Sequence, residues 1–502
     1  MKRTKLIALV AILFISTVVV AQRKQQQSSN IFLDRDFWDT NPSIEIIDQK
    51  IAQGNNPSEA NKGGFDGVVY AILQKAPNAS IKYLLSKEGN DVNKITHDKR
   101  TYVFWAAYAD NLELTAYLIK NGADLSLKDS HQSSPLTFAA NAGNTNTKIY
   151  DLFIENGLDI ATDTNGHGAN ALLLLLPSLN NLDLLDYFTS KGLALNSTDN
   201  DGNGAFNYAA KKGNKEMLNL LIKKGLPYKN LNKNGENALL LATRGGRGGY
   251  NSLAFFKYLN SLGLDANVTN KDGQNAFHFL ASGNKDIATF NYFLSKNVDI
   301  NHADKEGNTP LLNATGRNSL EIVTFLTEKT KDINHTNKQG NSALSVAVER
   351  NSSDVVAYLI NQKANINVTD KDGNTLAYYL LNSYNERRND NFATKKNLLV
   401  KNGLKLNQIQ GGNNTLFHFA LDHKNIKLLK EVNSYGIDVN AKNNEGYTAL
   451  HLAAMKSKDT KIINYLLSIG ADKNIKNEFE ESTYDLALEN ELLKNTDIKF
   501  LK

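Results

Sequence analysis

The run Asp199-Asn200-Asp201-Gly202-Asn203-Gly204 is the first place to look for chemistry. Oxygen-bearing side chains stand at its first, third and fifth positions and glycine at the sixth, as in the opening half of a calcium loop. Such a loop closes on a bidentate carboxylate, and here the closing position falls on Ala210. Similar runs recur at Asn270-Lys271-Asp272-Gly273, Asp304-Lys305-Glu306-Gly307 and Asp370-Lys371-Asp372-Gly373, where a tight turn accounts for them. No metal is expected. The 9 histidines are equally unpromising as ligands. No H-E-x-x-H occurs, and His418 and His423 stand five apart, off a common helix face. No G-x-S-x-G or G-x-x-x-x-G-K-[ST] is present, and the glycine-rich Arg244-Gly245-Gly246-Arg247-Gly248-Gly249 has no strand before it. The expectation is a non-enzyme without cofactor.

Composition narrows the classes further. The chain has no cysteine, which excludes disulfide frameworks, thiolate zinc sites, iron–sulfur clusters, cysteine nucleophiles and a lipid anchor on an N-terminal cysteine. Lys2, Arg3 and Lys5 precede an apolar run from Leu6 to Ala21, and Val19-Val20-Ala21 before Gln22 suits signal cleavage. The run is about 16 residues, short of the roughly 20 a spanning helix needs, so a cleaved signal peptide over 1–21 is expected, with no membrane insertion afterwards. Those three bases are the only charges in 1–21. Removing them leaves 54 of the 57 basic residues against 52 acidic ones, so the net charge falls from +5 to +2. That balance argues against a nucleic-acid partner.

A length of 502 residues suggests about three domains, at roughly 150 residues each. Self-similarity replaces that picture. Paired apolar residues, a short gap, then glycine recur at Gly54, Gly89, Gly122, Gly157, Gly192, Gly225, Gly263, Gly403, Gly436 and Gly470. Asn297, Lys331 and Lys363 stand in the same register. Neighbouring positions are never closer than 32 residues (331 to 363) nor farther than 40 (363 to 403). Glycine there is the left-handed cap of a helix. An Asn/Asp/Gly turn follows, then a helix opened by Ser134-Pro135 or Thr309-Pro310. A small-residue step such as Ala139-Ala140, Ala209-Ala210 or Ala453-Ala454 lets that first helix approach its neighbours, and a second helix carries the bulky stripe. The unit is turn, helix, turn, helix.

Gly446-Tyr447-Thr448-Ala449-Leu450-His451-Leu452-Ala453-Ala454, ending in Gly470-Ala471-Asp472, resembles the ankyrin repeat family, and looser copies extend over about residues 62–490. The resemblance implies an all-α solenoid of helix-turn-helix units with short β-turn fingers, about 12 full repeats plus terminal caps. It also implies that His278, His418 and His451, at the family's histidine position, hydrogen-bond adjacent turns. The organisation expected is a signal peptide at 1–21, a polar linker at 22–36, a capping helix at 37–61, the repeat array at 62–476 and a polar C-terminal cap at 477–502.

With catalysis set aside, recognition remains. The positions after the small-residue step are basic: Lys211, Lys212, Arg244 with Arg247, Arg317, Arg350 and Lys456, interrupted by Glu349 and Asp422. Stacked, they form a stripe suited to an acidic protein surface or an anionic polymer. The two long spacings hold inserts at 244–250 and 382–391, read as loops between first and second helix. The expected function is a monomeric, exported, bacterial scaffold in the periplasm or outside the cell, binding another protein through its concave face and turn tips. The alternatives are an exported effector acting on a host protein, and a ligand site or enzyme built on the inserts.

Overall fold

The structure is a computed structural model that describes residues 30–246 and 248–502. The signal segment at 1–21 and Arg247 lie outside the described residues. Among these there are 27 α-helices and no strand beyond isolated bridges. None of the helices is long and apolar enough to cross a membrane. The chain divides into two compact units, one ending at Lys233 and the other beginning at Asn234.

The first unit holds five helix pairs, from Gly67–Leu73 with Asn78–Leu85 to Ala205–Lys211 with Lys215–Lys223. Its first helices pack in series: Gly67–Leu73 on Tyr102–Tyr108, that on Pro135–Asn141, and so on. The second unit holds seven pairs, from Ala238–Ala242 with Leu253–Ser261 to Ala449–Lys456 with Lys461–Ser468, followed by Thr483–Glu489. The alanine steps are buried in both units, which is what allows first helices to lie side by side.

Local rules set the unit boundaries. Gly122, Gly225, Gly263, Gly436 and Gly470 follow their helices with φ from 69° (Gly436) to 97° (Gly470). At Gly122, Gly225, Gly436 and Gly470 a Cβ would meet nothing within 4 Å, so backbone conformation and not crowding favours glycine. Lys331 departs from the pattern: Leu320–Lys329 runs into an extended Thr330 and Lys331 keeps a negative φ. Each finger closes on itself, as in the bridges Thr198↔Gly204 and Thr336↔Ser342. Finger tips are also joined to one another through the main chain. Asn200 N–H donates to His167 O at 2.8 Å in the first unit; Lys305 N–H donates to Asp272 O at 2.8 Å and Lys338 N–H to Glu306 O at 2.9 Å in the second.

Both termini and one insert differ from expectation. The N-terminal cap carries two helices, Arg35–Asp39 and Ile44–Ala52. Phe32, inside the stretch read as a polar linker, is buried and stacks on Trp38. The C-terminal cap buries Leu486, Leu493 and Leu501 but leaves Phe479 72%, Leu488 59% and Leu492 64% exposed, so it is less polar than its lysines suggest. The 382–391 insert is not a loop throughout: a 3-10 turn at Glu386–Arg388 leads into Asn389–Lys401, at 13 residues the longest helix described. Lys395 on that helix is buried and donates to Val348 O at 2.8 Å, and burial lowers its ammonium pKa to about 8.

Candidate functional site

The repeat histidines are placed by their helices. Each is the third residue of a first helix and completes a capping box. In the last pair Thr448 N–H donates to His451 Nδ1 at 3.1 Å, so the ring proton resides on Nε2, which donates to Ile475 O at 2.8 Å. His418 spans Thr415 and Tyr447 O in the same way, and His278 spans Asn275 and Asn308 O. Both ring nitrogens are therefore occupied, one accepting and one donating. Burial lowers the pKa of all three rings, since a charged imidazole would be desolvated there. The calcium-like turn is similarly committed. Asp199 Oδ1 accepts from Asp201 N–H and Asn203 N–H, and Oδ2 accepts from the Asn203 amide and the Tyr208 hydroxyl.

The basic positions differ more from one another than their register implies. Lys211 and Lys212 lie exposed at the end of Ala205–Lys211 in the first unit. In the second unit Arg244 pairs with the buried Glu236 and lies 4.5 Å over the Phe279 ring. Arg350 Nε lies 3.1 Å from Glu349, and Lys456 Nζ 3.3 Å from Asp422. The two acids expected to interrupt the stripe thus neutralise it. Arg317 is exposed, and no carboxylate lies within ion-pair distance of it among the described residues.

Arg317 also stands where two open grooves of the second unit adjoin. One, of 570 Å³, runs from Arg244 and Gly245 past Tyr250 and Phe279 to Ser282 and Arg317. The other, of 420 Å³, continues from Ser282 and Arg317 past Asn313 and Asn341 to Tyr379. The 244–250 insert supplies the wall of the first. Its Gly246↔Gly249 bridge turns the chain back so that the Tyr250 hydroxyl donates to Phe279 O at 3.2 Å. Lys456 lines a separate 230 Å³ pocket with Asp422. Among the described residues that line the grooves there is no nucleophile–base pair, and their polar groups are suited to hydrogen bonding and charge pairing.

Sequence reasoning overlooked an asparagine ladder that shapes this face. Asn318 Nδ2 donates to Ala281 O at 2.8 Å and to Asn284 O at 3.1 Å. Asn351 reaches Thr315 O and Asn318 O, and Asn490 reaches Ala454 O and Ser457 O. In the first unit Asn144 and Asn214 do the same. Each satisfies carbonyls at the open end of the preceding first helix. The signal was present as an asparagine recurring near the start of second helices. In the insert-bearing repeat Lys395 takes a comparable role.

A family model described as ankyrin repeats (3 copies) matches residues 68–165, 172–259, 247–337, 279–372 and 387–477. Among curated proteins, the chain is 41% identical over 70 residues to a fowlpox virus (strain NVSL) protein named as an ankyrin repeat protein, covering 14% of this chain and 12% of that one. A second such fowlpox virus protein is 36% identical over 88 residues, 17% of this chain and 26% of the other. Alpha-latrotoxin-Lg1a of Latrodectus geometricus is 29% identical over 102 residues, 20% of this chain and 7% of the toxin. The chain thus spans at most about a quarter of the length of these relatives.

Proposed function

The chain belongs to the ankyrin repeat family, and from that premise we propose that it is a non-catalytic scaffold that binds another protein through the groove side of its second unit. Ankyrin repeats serve protein–protein interaction, and function in such a fold lies in surface residues grafted on a generic frame. The observation that carries the reading is the contrast at the groove face. The buried polar side chains described above are engaged in turns, caps and links between repeats, whereas the adjoining grooves around Arg317 stay open. The export signal read at 1–21 supports binding in the periplasm or outside the cell, after cleavage behind Ala21, as part of this proposal.

Crosslinking capture with the mature chain in its exporting host tests this. One dominant protein partner is expected, and Arg317→Glu with Arg350→Glu weakens its recovery. Capture of no partner, or recovery unaffected by the double variant and by deletion of 245–249, overturns the assignment to this face. Fractionation finding the chain only in the cytoplasm overturns the location.

A further inference from the structure

We propose that the groove of the second unit seats an extended acidic segment of its protein partner, with one Asp or Glu carboxylate on Arg317; this rests on the scaffold reading and specifies its ligand. Three observations lead to it. First, charge is uncompensated at one point. Arg244 and Arg350 on either side already face Glu236 and Glu349, so an incoming carboxylate at those positions meets an existing acid. At Arg317 no carboxylate lies within ion-pair distance among the described residues, and Glu349, which lines the same cavity, is paired with Arg350. An arginine fork matches a carboxylate in shape as well as charge.

Second, the seat lies mid-groove. The 570 Å³ and 420 Å³ cavities meet at Ser282 and Arg317, so a segment whose acid sits there has room to run both ways. Gly245, Gly246 and Gly283 line the first cavity without side chains, beside the rings of Tyr250 and Phe279. That combination accommodates an apolar residue next to the acid.

Third, the second cavity offers main-chain partners. Asn313 uses its Nδ2 on His278 O at 3.1 Å, which leaves Oδ1 as an acceptor. Asn341 uses its Oδ1 to accept from the Tyr379 hydroxyl at 2.5 Å, which leaves Nδ2 as a donor. One acceptor and one donor are what the N–H and C=O groups of an extended chain require. A folded, convex partner surface would leave them unused.

Panning a random dodecapeptide phage library against the immobilised full chain tests the proposal. The expected result is enrichment of Asp or Glu at one aligned position by up to about fivefold, the effect of a single exposed ion pair. Panning against Arg317→Glu is expected to switch that position to Lys or Arg. Panning against Lys212→Glu, in the first unit, should leave the acidic preference unchanged. Selected peptides without an acidic position, an unaltered preference with Arg317→Glu, or no enrichment at all would overturn the acidic seat. Circular dichroism of each variant confirms that the fold is retained. These failures are separable from failure of the scaffold reading, because crosslinking capture reports on protein partners whatever their charge.

Discussion

Arg100 in the first unit and Arg317 in the second are the same side chain in opposite surroundings. Arg100 is buried: Nε and Nη2 donate to Asp129 Oδ2 at 3.0 and 2.8 Å, Nη1 to Asp98 at 3.1 Å, and the guanidinium lies 4.2 Å over the Phe138 ring. It joins the finger of one repeat to that of the next. Arg317 is exposed and, among the described residues, bonds no acid. The contrast extends to the units around them. The first unit links repeats through buried carboxylates, with Asp66 taking Lys94 and the Tyr102 hydroxyl, and Asp163 taking Lys128 and Ser134. The second relies more on neutral histidines and amides, and its buried Glu236 takes the Asn270 amide of the next repeat. A desolvated charge must be compensated within its own fold, so it becomes a structural link, whereas a solvated one remains available to a partner.

Three substitutions test this contrast. Arg100→Met removes the cation and leaves Asp129 buried without its partner. The cost expected is roughly 3–5 kcal/mol, the cost of breaking a buried pair. Segment-resolved hydrogen exchange should show lost protection around 97–141 and little change beyond residue 234. Equal loss in both units would erase the distinction between them.

His451→Ala should have a smaller effect, about 1–3 kcal/mol, since it leaves Thr448 N–H and Ile475 O without partners. The loss should be confined to the last repeats and measured as faster exchange at 440–490. The same histidines set a pH dependence. Their folded pKa values lie below the unfolded value of about 6.5, so the unfolded chain binds more protons between the two. Their contribution is complete above the unfolded value and is lost as pH falls from there through the lower folded values. Acidification from pH 7 to 5 should therefore loosen 440–490 in the native chain and have less effect there in His451→Ala. An unchanged response would show that the ring is not the titrating group.

Arg317→Gln should have the smallest effect on stability, within about 0.5 kcal/mol, as for an exposed surface residue. Thermal unfolding checks this. A shift comparable to that of Arg100→Met would mean that Arg317 is structural after all, and the contrast would collapse.

Much of the architecture could be read from residues close together in the chain. Gly470 after its helix, Thr448 with His451 three residues on, and the Asn/Asp/Gly fingers all satisfy needs met within a few residues. The insert at 382–391 misled because its polar composition resembles a loop, although its second half continues as helix once Lys395 is buried against the preceding repeat. Glu349 looked like an interruption of the basic stripe, and only contact geometry makes it the partner of Arg350.

The sequence alone determined the repeat, its period, its caps and the residue types available at the groove face, because hydrogen bonds three to five residues apart and left-handed caps leave a local imprint. The tertiary structure decided which charges are neutralised. Arg100 and Asp129 are 29 residues apart, and among the described residues Arg317 has no corresponding acid. Whether a charge finds a partner depends on how one repeat settles against the next, and burial then determines whether it holds the fold together or faces another molecule.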